Sequence, residues 1–93
     1  MLIGSLQVEV FFPDVGSLKE KRYIMQSVKT KIQNRFNVSV AEVDHQDKWQ
    51  RACLGVACVS SDKGVVDSML QKVLDVFYQE DRLEVLGHVM EVL

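Results

Sequence analysis

Between residues 12 and 18 the apolar pattern changes its period. From residue 2 to residue 12 it runs at two: Leu2, Leu6, Val8, Val10 and Phe12 share one face, and Ser5, Gln7 and Glu9 share the other. That alternation predicts a long strand with one buried face. Pro13-Asp14-Val15-Gly16 interrupts it. Beyond the interruption, Leu18, Met25, Val28, Ile32 and Phe36 recur at helical spacing, within an arc of about 80° at ~100° per residue. A chain that switches period so sharply commits to a strand followed by a helix. Ser17 and Glu20 form a capping box at that boundary and set the start of a helix over about 18–35.

Three further strands and a second helix follow, without internal repeats. Residues 38–45 and 50–60 read as two strands around a turn at Gln46-Asp47-Lys48. The first is β-branched. The second, Ala52 to Val59, is almost entirely small or apolar, as expected of a strand at the centre of a sheet. Ser60-Ser61-Asp62 caps a second helix over about 62–79, whose stripe is Val66, Met69, Leu70, Val73 and Phe77. A last strand covers about 83–93. The order strand-helix-strand-strand-helix-strand predicts a single α+β domain, 1–93, of the ferredoxin-like class. Right-handed crossovers place both helices on one face of a four-stranded antiparallel sheet, with the first and third strands in the middle.

Composition bounds the function classes. Ninety-three residues, 47% hydrophobic and 26% charged, suffice for one modest core. No apolar run approaches the ~20 residues of a membrane span, and the start has no signal-like pattern; a cytoplasmic location is expected. Cys53 and Cys58 lie five apart, on opposite faces of one strand, so they cannot bridge each other. They read as small buried hydrophobes. Two free thiols fit a reducing compartment, where the Asn37-Val38-Ser39 sequon carries no glycan. No metal or cofactor is expected.

Charge is uneven. Residues 1–36 carry a net +3 and residues 37–93 a net −5. The first helix concentrates the positive side, with Lys19, Lys21, Arg22, Lys29, Lys31 and Arg35 against Glu20. On the wheel Lys19, Arg22 and Lys29 flank one edge of the apolar arc and Lys31 and Arg35 the other. Lys21 falls inside the arc, where its stem must snorkel to reach water. Two readings follow. The cations bind phosphates, with Gln26 and Gln33 adding hydrogen bonds, or they pair with the acidic second helix, which holds Asp62, Asp67, Asp75, Glu80 and Asp81.

The turn His45-Gln46-Asp47-Lys48-Trp49-Gln50-Arg51 is the second concentration of recognition groups. Trp49 and Arg51 suit stacking on bases; they equally suit the end of a small core or a subunit contact. His45 beside Asp44 and Asp47 lacks a third ligand for a metal. His88 reads as structural. The loop 13–17 leads into a helix N-terminus, which favours anions, but it offers Asp14 where an acylphosphatase of this fold has an arginine.

Three runs, Gly16-Ser17-Leu18-Lys19-Glu20-Lys21-Arg22, Arg35-Phe36-Asn37-Val38-Ser39-Val40-Ala41-Glu42-Val43 and Gln46-Asp47-Lys48-Trp49-Gln50-Arg51-Ala52, resemble the YlxP-like family of small bacterial proteins of unknown function. The resemblance spans nearly the whole chain; Lys48 departs from it, standing where an apolar residue is expected before Trp49. It implies a ferredoxin-like fold and no established reaction. Genes of that family often lie beside translation and ribosome-maturation genes, which implies an RNA-associated role. The expected function is therefore a non-enzymatic domain that forms a homo-dimer and acts through its surfaces on RNA or ribosomal particles, through Lys19, Lys21, Arg22, Lys29, Trp49 and Arg51. The alternatives are a homo-oligomeric or protein-partner module using the open sheet face around Cys53, Gly55 and Ala57, and a phosphate-handling enzyme using the loop at Gly16.

Overall fold

The computed structural model describes all 93 residues. Its elements are β1 (Leu2–Phe11), α1 (Leu18–Arg35), β2 (Ser39–Asp44), β3 (Arg51–Ser60), α2 (Lys63–Tyr78) and β4 (Glu84–Val92). The strands form one antiparallel sheet in the order β2-β3-β1-β4. The predicted ferredoxin-like topology is thus observed, with β1 and β3 central.

The period-two pattern of β1 translates directly into burial. Gly4, Leu6, Val8, Val10 and Phe12 face the helices and are buried, while Ser5, Gln7, Glu9 and Phe11 face the other side. Across the register, Leu6 pairs Val56 and Val8 pairs Leu54, so the apolar faces of the two central strands coincide. Fully buried Val66, Leu70, Val73 and Phe77 of α2 lie on them. α2 lies close over Gly4: a Cβ there would stand 2.4 Å from Val66 Cγ1.

The helix starts follow their sequences, except that Glu20 reaches back to the amide one residue before the Ser17 cap. Ser17 Oγ accepts from the Glu20 amide at 3.2 Å, and Glu20 Oε2 accepts from the Gly16 amide at 3.2 Å. Asp62 Oδ1 accepts from the amides of Gly64 and Val65. The helices differ in depth. α2 buries six residues, whereas α1 buries only Lys21, Val28 and Ile32.

Lys21 is the main departure from expectation. It does not snorkel to water; its side chain is fully buried. The reason is that three acceptors wait inside, on segments remote in sequence. Nζ donates to the carbonyls of His45 at 2.8 Å and Arg51 at 3.0 Å, and lies 2.9 Å from Glu42 Oε2. The contact to Glu42 is an ion pair and not a directed hydrogen bond.

Candidate nucleic-acid interface

Lys21 decides where the β2–β3 turn sits. Its ammonium grips the carbonyls at both ends of the segment 45–51. The turn is thereby clamped against the first turns of α1. Further bonds complete the end of the molecule: the Phe12 amide donates to the Gln50 carbonyl at 2.9 Å, and Gln50 Nε2 donates to the Pro13 carbonyl at 3.4 Å. His45 takes a left-handed conformation, φ 64°, with its amide donating to Asp44 Oδ1. The loop after β1, the start of α1 and the β2–β3 turn therefore form one continuous end surface.

Trp49 stands on that surface, 55% exposed. It neither covers the core nor enters β3, which begins at Arg51. Lys48 and Gln50 beside it are exposed as well. Along α1, Arg22, Gln26 and Lys29 line a groove of about 360 Å³ between the helix and the sheet, floored by Leu54. Lys19, Arg22 and Lys29 form no ion pair. Glu42 also borders the groove, but its carboxylate is engaged by Lys21.

The rival explanation for these charges, pairing with α2, accounts for only one of them. Lys31 reaches Glu80 Oε2 at 3.5 Å, just beyond the end of α2. Arg35 lies over the Phe36 ring, 5.3 Å from its centre. The acids of α2 are used locally instead: Asp67 pairs with Lys63, and Asp75 accepts from Gln71. The wheel's two edges thus have different fates. The Lys31 edge meets the α2 side, and the Lys19, Arg22, Lys29 edge stays unpaired.

Glu80 is the centre of the α2-side network. Arg82 Nε donates to Glu80 Oε1 at 2.6 Å, and Arg82 Nη2 reaches Ser27 Oγ at 3.0 Å. The Arg82 hydrogen bond holds the buried carboxyl below its ordinary value of 4.5, with the Arg82 and Lys31 charges adding to the effect. A depressed carboxylate stabilises the fold above its unfolded pKa, and that stability is lost as pH falls through the folded one. Glu80→Gln is expected to lower the thermal midpoint at neutral pH and to narrow the gap from wild type below about pH 4. A pair of melts at the two pH values checks this.

Two expected site residues are placed differently from the expectation. Lys21 belongs to the interior, so its charge is spent on Glu42 and two carbonyls and does not join the exposed cations. Arg51 turns back over the open sheet face, where its Nη2 donates to Glu9 Oε2 at 3.2 Å. His45 Nε2 lies 3.2 Å from the same oxygen. Lys19, Arg22, Lys29 and Trp49 are brought to one end and one helix edge. Glu42 was not foreseen as a partner of Lys21; its alternation within β2, opposite Leu54 on the helix side, is the signal that marks it.

Burial first, then the charge and hydrogen bond of Glu9, push the Cys53 thiol up to about 11, so it is no thiolate at neutral pH. Cys58 is also free and buried, on the helix face. No three His, Cys, Asp or Glu side chains converge as a metal set. In the loop 13–17, the Gly16 amide that would cradle a phosphate already donates to Glu20. No helix is long and apolar enough to cross a membrane.

The fold and this end surface define a small ferredoxin-like domain with a basic helix edge beside an aromatic turn. Residues 3–90 match the family described as protein of unknown function (DUF503), and the chain belongs to that family. It is 45% identical over 73 residues to the uncharacterized protein YlxP of Bacillus subtilis strain 168, covering 78% of this chain and 79% of that one. Among solved structures, the structured domain of Drosophila melanogaster Boca superimposes with a TM-score of 0.61 at 14% identity, over 94% of this chain and 95% of that one. A de novo designed protein with a ferredoxin fold gives 0.51 at 11% identity, over 98% and 86%. These likenesses establish the fold alone.

Proposed function

We propose that this protein binds RNA, free or within ribosomal particles, through the end surface built by Trp49 and the unpaired edge of α1, and that it works by contact and not by turnover. The observation that supports this is the Lys21 clamp. It holds a turn with an exposed tryptophan against a helix whose Lys19, Arg22 and Lys29 have no acidic partner. An exposed indole offers a stacking platform for an unpaired base, and adjacent cations replace counterions on the phosphates. The net charge of −2 opposes non-specific attraction to a polyanion, so affinity has to come from this local patch.

The test is titration of a labelled single-stranded RNA at several salt concentrations, followed by anisotropy. With three to four phosphate contacts from Lys19, Arg22, Lys29 and Lys48, affinity should fall about 20–50-fold between 50 and 200 mM salt. Trp49→Ala should weaken binding by about 1–3 kcal/mol. Arg22→Glu with Lys29→Glu should abolish it and flatten the salt slope. Co-sedimentation with ribosomal particles, with and without nuclease, extends the test to extract. Absent binding at low salt, or binding indifferent to salt and to Trp49, sinks the reading.

A further inference from the structure

The face of the sheet away from the helices is bare. On β3 and β2 its floor is made of small residues: Ala57, Gly55 and Ala41. With Gln7 and Val43 as walls, they form an apolar trough of about 350 Å³. On the other half, β4 presents Val89 as a ridge, 57% exposed. Gly87 follows, where even an added Cβ would meet open space. Glu9 is engaged by Arg51 and His45, and the remaining carboxylates of this face, Asp44, Glu84 and Glu91, stand on its two edge strands.

The register shows what fits such a face. Reading across the sheet from β2 to β4, one row is Ala41, Gly55, Gln7, Val89. Small residues occupy its left half and large ones its right. A two-fold axis lying in the interface, parallel to the strands and between β3 and β1, exchanges the halves. It sets Val89 of one copy over Ala41 of the other, and Gln7 over Gly55. The next row places Asp44 over Gly87 and Glu9 over Cys53, with Val43 in the bulge beside Asp44. A two-fold axis perpendicular to the strands through that row does the reverse. It stacks Val89 on Val89 and Gln7 on Gln7, and it leaves a void where Gly55 meets Gly55.

Large-over-small matching across the first axis is the self-complementarity an isologous interface requires. Aligned sheets pack at about −30°, which displaces side chains little near the axis. The available area agrees. Four strands at ~4.8 Å and about eight residues at ~3.3 Å give a footprint of about 500 Å² per copy. Two copies then bury about 1,000 Å², the threshold of a specific interface.

We infer that the occupant of the open sheet face is a second copy of this chain, packed sheet to sheet about a two-fold axis parallel to β1 and β3. The pair leaves α1, on the opposite face of the sheet, uncovered, so the inference stands apart from the RNA reading.

Sedimentation equilibrium at high micromolar concentration should give twice the single-chain mass. Ala57→Arg, a change at an exposed floor position, should give the single-chain mass with an unchanged far-UV spectrum. Ala41→Cys/Val89→Cys supplies the orientation. These positions lie three strand spacings apart within a chain, about 14 Å, but face each other across the proposed axis. A short bis-maleimide should join two chains of the double variant and not of Ala41→Cys alone. A single-chain mass for the wild type, a dimer that survives Ala57→Arg, or a double variant that fails to cross-link would overturn the inference.

Discussion

Lys21→Met is expected to cost about 3–5 kcal/mol of folding stability, the range for removing one partner of a buried ion pair. The methionine stem fills most of the same space, so the loss is electrostatic and not a cavity. Glu42, with a side chain 16% exposed, is left as a largely buried carboxylate without its cation. The carbonyls of His45 and Arg51 lose their donor as well. A domain of this size has a total stability of roughly 5–14 kcal/mol, so the variant should sit near the edge of folding. Urea midpoints measure it. Lys21→Met/Glu42→Leu should recover most of the loss, because replacing a whole buried pair by apolar groups is far cheaper than orphaning half of one. If the single and double variants unfold together, the pair is not coupled and the clamp is misassigned. The same comparison separates scaffold from surface: the double variant should fold, yet bind RNA less well, because the Trp49 turn loses its anchor to α1.

The position of Lys21 shows where the sequence is legible and where it stops. Its place inside the apolar arc of α1 follows from 100° per residue, and that alone predicts an unusual environment. The direction its ammonium takes does not follow. Glu42, His45 and Arg51 lie 21 to 30 residues further on, and only the closed sheet brings them together. Local patterns were sufficient elsewhere. Alternation in β1 and the apolar stretch of β3 placed both at the centre of the sheet, and the capping residues Ser17 and Asp62 marked both helix starts. The charge pairing was less accessible, because a helical wheel assigns an edge but not its neighbour. Lys29 and Lys31 sit two residues apart on α1; one remains free in a groove and the other meets Glu80. Trp49 was ambiguous for the same reason. Whether an indole beside a turn folds inward depends on whether the core end is already closed, and here Phe12 and Val15 are buried while Trp49 stands out.

Gly4→Ala should destabilise the fold by about 1–3 kcal/mol, although alanine ordinarily improves on glycine within a strand by roughly 0.5–1 kcal/mol. The sign is decided by α2. An added Cβ would stand 2.4 Å from Val66 Cγ1, 2.9 Å from Cys58 Sγ and 3.1 Å from Leu70 Cδ1. Val66 is fully buried and stiff at χ1, so it cannot swing aside. The helix must lift from β1, loosening the best-packed layer of the domain. Gly16 provides the contrast: nothing lies within 4 Å of its added Cβ, and its φ is not positive. Gly16→Ala should therefore stabilise by about 0.4–1 kcal/mol, through the unfolded chain. The decisive measurement is a double-mutant cycle. Val66→Ala leaves a cavity of its own, but in the Gly4→Ala background that cavity receives the new methyl group. The two changes should then cost less together than the sum of their separate costs, by about 0.5–3 kcal/mol. Strict additivity would mean that α2 does not rest on Gly4, and the closeness of helix and sheet at that point would have to be abandoned.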